Sequence, residues 1–199
     1  MLEAMKELGF THAAWVDPQK LNFLPQVRGM CAQNLCRSYD KCWCCPPACG
    51  ELETIAAQAR SYSQGIVVAS RHPLRNPSDM DEMKRVELDH QRQFHKAMAW
   101  GRAHYERIFP MSAGVCSLCE SCAYPQEPCR HPEWLSPSME ACGLMIMEVC
   151  EAAGLPYAYG EKDHVTFVSL MLVDTERETP LTPEAAPKEY FFKPWPWII

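Results

Sequence analysis

The chain contains no uninterrupted apolar stretch close to the roughly 20 residues that cross a bilayer, which argues against a helical membrane protein. It also lacks a G-x-x-x-x-G-K-[ST] phosphate loop, a G-x-G-x-x-G turn and a G-x-S-x-G elbow. Nucleotide, dinucleotide and serine-hydrolase chemistry therefore have no support. None of its 7 His stands in an H-x-x-x-H pair beside a Glu, as a zinc protease requires. Positive charge is in short supply: 19 Lys and Arg face 25 Asp and Glu, giving a net charge of −6. Such a surface has no broad attraction for phosphate backbones or anionic lipid, so neither nucleic acid nor a membrane is expected as a partner. The opening MLEAMKELGF carries Glu3 and has neither a basic segment nor a long apolar core. It does not read as a secretory signal, and a cytoplasmic setting that keeps thiols reduced is expected.

Cysteine is what the chain has in excess, with 12 in 199 residues. Four of them, Cys116, Cys119, Cys122 and Cys129, fall in the run CSLCESCAYPQEPCRHP. Three thiolates at three-residue intervals with a fourth further along can hold the corners of one [4Fe–4S] cubane. The usual zinc pattern of two separate pairs has no need of the central third. A second concentration, CAQNLCRSYDKCWCCPPACG, begins at Cys31 and supplies six more cysteines up to Cys49. Adjacent Cys44 and Cys45 make an awkward disulfide pair, whereas thiolates at this density are natural ligands for soft metals. Cys142 and Cys150 lie on an apolar, helix-like segment and read as small buried hydrophobes. His131, two residues after Cys129, reads as a surface imidazole, with a hydrogen bond to a cluster sulfur as the alternative.

Periodicity places these loops on a small scaffold. A short helix around Leu2, Met5 and Leu8 precedes a strand at Ala13–Val16; the loop of residues 31–49 leads to a helix over Glu51–Tyr62 and a strand from Ile66. The spacing of apolar residues predicts one long helix over Asp79–Phe109, then a short strand over Met111–Val115. Ser138 is read as opening a helix that runs to Gly154, and Val165–Val173 as a strand. The expected fold is α/β (α+β): one domain over residues 1–174, with a small mixed sheet of about four strands, flanking helices and two cysteine-rich metal loops. Residues 175–199 read as a Pro- and aromatic-rich tail packed on the domain or on a neighbour, where it would support a homodimer.

The order Cys31-x4-Cys36, Tyr39, Trp43, Cys45-Pro46-Pro47, followed by CSLCESC, CRHPEW and Ser138–Ala141 with Gly143, resembles a cysteine-rich family of predicted metal-binding proteins known from anaerobes and methanogens. The likeness spans roughly residues 12–173. It implies iron–sulfur or other metal binding and names no reaction. Cys31, Cys36 and Cys45 belong to the shared pattern, while Cys42, Cys44 and Cys49 are additions to it. Cys49 is taken as the fourth ligand of the N-terminal site because Pro46-Pro47 can hold it on the same side; Cys42, Cys44 or no fourth ligand are the alternatives. The leading expectation is a carrier of two [4Fe–4S] clusters that passes electrons to a partner redox protein. An enzyme working at an open iron with three cysteine ligands and a structural zinc module are the two alternatives.

Overall fold

The computed structural model describes residues 1–76, 78–157 and 163–193. Nine principal elements follow in chain order: α1 (Leu2–Glu7), β1 (His12–Val16), α2 (Pro25–Ala32), α3 (Leu52–Arg60), β2 (Gln64–Pro73), α4 (Met80–His104), β3 (Tyr105–Met111), α5 (Ile146–Ala152) and β4 (His164–Glu176). The strands form one sheet in the order β1-β2-β4-β3, and all three pairs are antiparallel. The mixed character expected of the sheet is therefore confined, among the described residues, to an isolated parallel bridge between Ser112 and Ser138. No helix among the described residues is long and apolar enough to cross a membrane.

Both faces of the sheet are covered, and alternation along the two central strands assigns the side chains. Ile66 and Val68 of β2, with Met171 and Val173 of β4, pack against Phe94, Ala97 and Met98 of α4 and against Met5 of α1. Val67 and Ala69, with Val168, Leu170 and Leu172, face Ile55 and Ala59 of α3 and Val149 of α5. A strand buried on both sides must be apolar almost throughout, which is why β2 and β4 read as continuous hydrophobic runs. Asp79 caps α4 by accepting a hydrogen bond from the Glu82 amide at 2.9 Å.

Three boundaries differ from the periodicity reading. The long helix ends at His104, and Tyr105–Phe109 are strand because β4 needs a partner on that side. The strand expected at Met111–Val115 is accordingly the end of β3 followed by a bend. The Ser138 signal is local: its hydroxyl accepts from the Ala141 amide at 3.1 Å, but Gly143 at φ +82 breaks the turn, and α5 starts only at Ile146. Cys31 lies on α2, so the first cysteine segment begins on a helix instead of wholly in a loop.

Polar groups buried under α4 tie it to both the sheet and the second cysteine loop. His90, fully buried, bonds Ser70 Oγ through Nδ1 and Ser169 Oγ through Nε2, each at 2.8 Å. Lys84 and Glu87 form a buried ion pair at 2.7 Å, and Gln91 donates to the Ala113 and Val115 carbonyls at 2.9 and 3.0 Å. Past β4 the chain crosses the C-terminal end of α4: the Arg177 and Leu181 amides donate to the carbonyls of His104 and Ala103. It then reaches the second loop, where the Phe191 amide donates to Ser117 O at 2.8 Å and Lys193 Nζ to Cys116 O at 3.1 Å. Residues 177–193 contain no helix or strand. The tail residues Trp195, Trp197, Ile198 and Ile199 lie outside the described residues.

Two outcomes follow. Gly114 has φ +70, and a Cβ placed there would lie 2.0 Å from Glu87 Oε1. Gly114→Ala is expected to lower stability by at least about 2 kcal/mol, read from the denaturant midpoint; an unchanged midpoint would contradict this account of α4 and the loop. Burial, with His72 adding to it, depresses His90 to about 3, and burial depresses His95 to about 4. A depressed folded pKa means that the unfolded chain binds more protons below about pH 6.5. Stability should thus be held above that pH and fall on acidification, by up to about 1.4 kcal/mol per pH unit for each proton taken up. Urea titrations between pH 7 and 4 measure the slope, and a flat profile would refute it.

Candidate metal centre

The first cysteine segment is built around a turn that backs its thiols. Cys31, on the last turn of α2, donates to the Glu140 carbonyl at 3.8 Å, and Cys49 donates to the Ala141 carbonyl at 3.7 Å. Arg28, one helical turn before Cys31, donates to Ala141 O at 2.8 Å and also to Gly50 O. A cation thus shares with Cys49 the Ala141 carbonyl, next to the Glu140 carbonyl that receives Cys31. The Cys49 amide bonds the Cys45 carbonyl at 3.0 Å, closing a turn through Pro46 and Pro47. Cys36 lies between Asn34 and Arg37, both in the left-handed region, and its charge bears on both Cys31 and Cys45. Burial, then the neighbouring Cys36 and Glu140 charges, push the Cys31 thiol up to about 11, with Arg28 opposing. Burial likewise raises Cys49, again against Arg28. Cys31 and Cys49 thus meet at the Glu140–Ala141 turn, with Cys36 and Cys45 near enough to act on them through charge.

The second loop gathers Cys116, Cys119, Cys122 and Cys129 around a cleft with an internal space of about 20 Å³, and Cys42 and Cys44 from the first segment line the same cleft. Its remaining walls include Trp43, Leu118, Ala123 and Leu135, with Arg130, His131 and Lys193 as the basic groups. Cys44 is within hydrogen-bonding reach of Cys116 and of Cys42, and Cys42 also reaches Cys45 and Cys122. These contacts push Cys44 and Cys45 upward as S–H donors, with burial adding to the shift. The same contacts pull Cys42 and Cys116 downward as acceptors. Burial raises Cys129. Among the described residues, no group of three or more His, Cys, Asp or Glu side chains has the geometry of an ion site.

The two loops clasp each other through groups that carry no sulfur. Trp43 donates its indole N–H to the Glu127 carbonyl at 3.1 Å and meets the Tyr124 ring edge-on at a centroid distance of 4.9 Å. Tyr124 OH donates to Asp40 Oδ1 at 2.6 Å. Asp40 in turn is fixed by its amide bond to Pro46 O at 2.8 Å.

Cys142 and Cys150 lie in the apolar core with Ile55, Met139 and Leu144; Cys49 packs against that core, and the charges of Cys49 and Cys31 bear on Cys142. Burial raises both thiols, Cys150 to about 11, which suits packing residues. His131 lines the cleft. Arg28, Trp43, Tyr124 and Lys193 escape a search for metal-ligand spacing because they hold the loops through backbone carbonyls and ring contacts. For Trp43 and Tyr124, the available signal is an aromatic placed within each cysteine run.

A family model described as "Predicted metal-binding protein (DUF2284)" matches residues 14–173. No curated protein and no solved structure matches the chain.

Trp43→Ala removes both the indole hydrogen bond and the edge-on ring contact, a loss of about 1–2 kcal/mol of local stability. Amide exchange should accelerate in residues 36–45 and 119–129 together and stay slow in β2 and β4. Faster exchange in one loop alone would show that the clasp does not couple them.

Proposed function

Because this chain belongs to the predicted metal-binding protein family, we propose that its cysteines hold two [4Fe–4S] clusters and that the protein carries electrons to a partner redox protein. The observation that carries the reading is the cleft that collects cysteines of both segments. We assign Cys116, Cys119, Cys122 and Cys129, which line it, to one centre, and Cys31, Cys36, Cys45 and Cys49 to the other, supported by the meeting of Cys31 and Cys49 at the Glu140–Ala141 turn. The fit is supported by donor chemistry. Soft thiolates are the ligands that iron–sulfur clusters take, four to each cluster, and the second cleft is lined by thiols set among apolar walls.

A bound cluster supplies one-electron storage at a potential set by its surroundings. The residues of the chain supply those surroundings. Arg28 places positive charge beside Cys31 and Cys49, and Lys193 and Arg130 do so beside the second group. Cations close to a thiolate-bound cluster favour its reduced, more negative form. Leu118, Ala123 and Leu135 shield the second group from water. The basic edge of this cleft, on a chain of net charge −6, suits the approach of an acidic partner. Zinc is the competing occupant of a thiolate site, and it is colourless and redox-silent.

Anaerobic purification or reconstitution should give a brown protein with iron and sulfide in equal amounts, whose visible absorption bleaches with dithionite. A colourless protein with stoichiometric zinc and no sulfide would refute the proposal. Cys119→Ser should lower iron and sulfide by about half and leave residues 116–131 open to limited proteolysis, since metal ligation orders such loops. A variant with the iron content and protease resistance of the parent would remove Cys119 from the ligand set.

A further inference from the structure

The two groups of sulfurs do not divide by loop. In the first segment, Cys42 and Cys44 differ from Cys31 and Cys49 in their neighbours. They are 6% and 2% exposed, and the small buried cluster they form with Cys45 is completed by Val115, Cys116, Cys122 and Leu135. Five of these seven residues are cysteines. This separates them from Cys150, which is equally buried in the aliphatic core, the ordinary setting of a structural cysteine. Cys42 and Cys44 line the second cleft beside Cys116, Cys119, Cys122 and Cys129, so six sulfurs face a space that one cluster would fill with four ligands.

We propose that Cys42 and Cys44 of the first segment are metal-binding residues of the second centre, so that this centre is completed across the two loops by a thiophilic iron cluster. The contacts support it: Cys44 reaches Cys116, and Cys42 reaches Cys122, which joins each thiol of the first segment to one of the second loop. Trp43, between them, is pinned to Glu127 and Tyr124 on that loop, which fixes the pair on the cleft wall. Cys42 also reaches Cys45 of the first group, so the short segment Cys42–Cys45 touches both centres. The second centre then has six candidate sulfurs, two from the first segment and four from its own loop. This inference rests on the reading of the cysteines as metal ligands and adds to it which cysteines serve which centre.

The test uses the full chain reconstituted anaerobically with ferrous iron and sulfide and, separately, titrated with Co²⁺, whose thiolate charge-transfer absorption reports bound sulfur without any need for sulfide. The double variant Cys42→Ser/Cys44→Ser should lose about half of the iron and sulfide and show a weaker cobalt–thiolate band, whereas Cys150→Ala should match the parent in both. A double variant with the iron, sulfide and cobalt spectrum of the parent overturns this assignment while leaving the iron–sulfur reading in place. A parent chain that binds neither iron nor cobalt overturns both. Should the double variant fail to fold, the loaded parent decides. Alkylated in enough denaturant to open the metal-free chain, it should keep Cys42 and Cys44 unmodified together with Cys116 and Cys122, while Cys150 reacts. Modification of Cys42 and Cys44 under those conditions overturns the assignment.

Discussion

Thiols brought together out of water have to share protons or share a cation, and this constraint governs the functional end of the molecule. Around the second cleft the sulfurs are too close to be independent: Cys44 and Cys45 act as donors, Cys42 and Cys116 as acceptors. Such a network is a poor substitute for apolar packing, because S–H groups are weak donors and buried thiolate charge is costly without compensation. A thiophilic cation satisfies all of these sulfurs at once. The scaffold contributes the work of assembly, with Gln91 gripping the Ala113 and Val115 carbonyls and the Trp43–Tyr124 clasp closing one loop on the other.

The scaffold in turn explains why the loops meet. Helices on both faces bury the two central strands, and α4 carries polar side chains on its buried side where an ordinary amphipathic helix would be apolar. His90 joins that helix to the sheet, Gln91 joins it to the entrance of the second loop, and Glu87, paired with Lys84 on the same helix, packs against Gly114 of that loop. Buried polar networks of this kind contribute specificity of position more than net stability. On the opposite face, Arg28 and the turn at Glu140–Ala141 perform the corresponding task for Cys31 and Cys49.

Where local signals and the fold agreed, residue patterns were enough. β2 and β4 are legible because strands covered on both faces must be apolar, and α3 because Ile55, Ala56 and Ala59 repeat at helical intervals. Tyr105 and Ile108 fit the phase of α4 as well as they fit a strand, and only the demand of β4 for a neighbour decides between them. Ser138 does cap a turn, yet Gly143 ends it, since a Cβ there would meet Leu52 at 2.5 Å and the Leu24 carbonyl at 3.3 Å. Among the site residues, the grouping of Cys45 with Cys49 is local, one turn apart. The turn of Cys42 and Cys44 toward residues more than 70 positions away is set by tertiary contact, and no spacing rule encodes it.

The sheet order has a consequence for how the protein is made. β4 lies between β2 and β3 and pairs with both, yet it is the last strand to leave the ribosome. β2 has only β1 beside it until residues 164–173 emerge, and β3 has no strand partner at all. Both cysteine loops are therefore synthesised and exposed before the scaffold that orients them can close. In that interval the nascent thiols are open to oxidants and to whichever metals are at hand, so the correct filling of the site depends on what the translating chain meets as well as on its finished architecture.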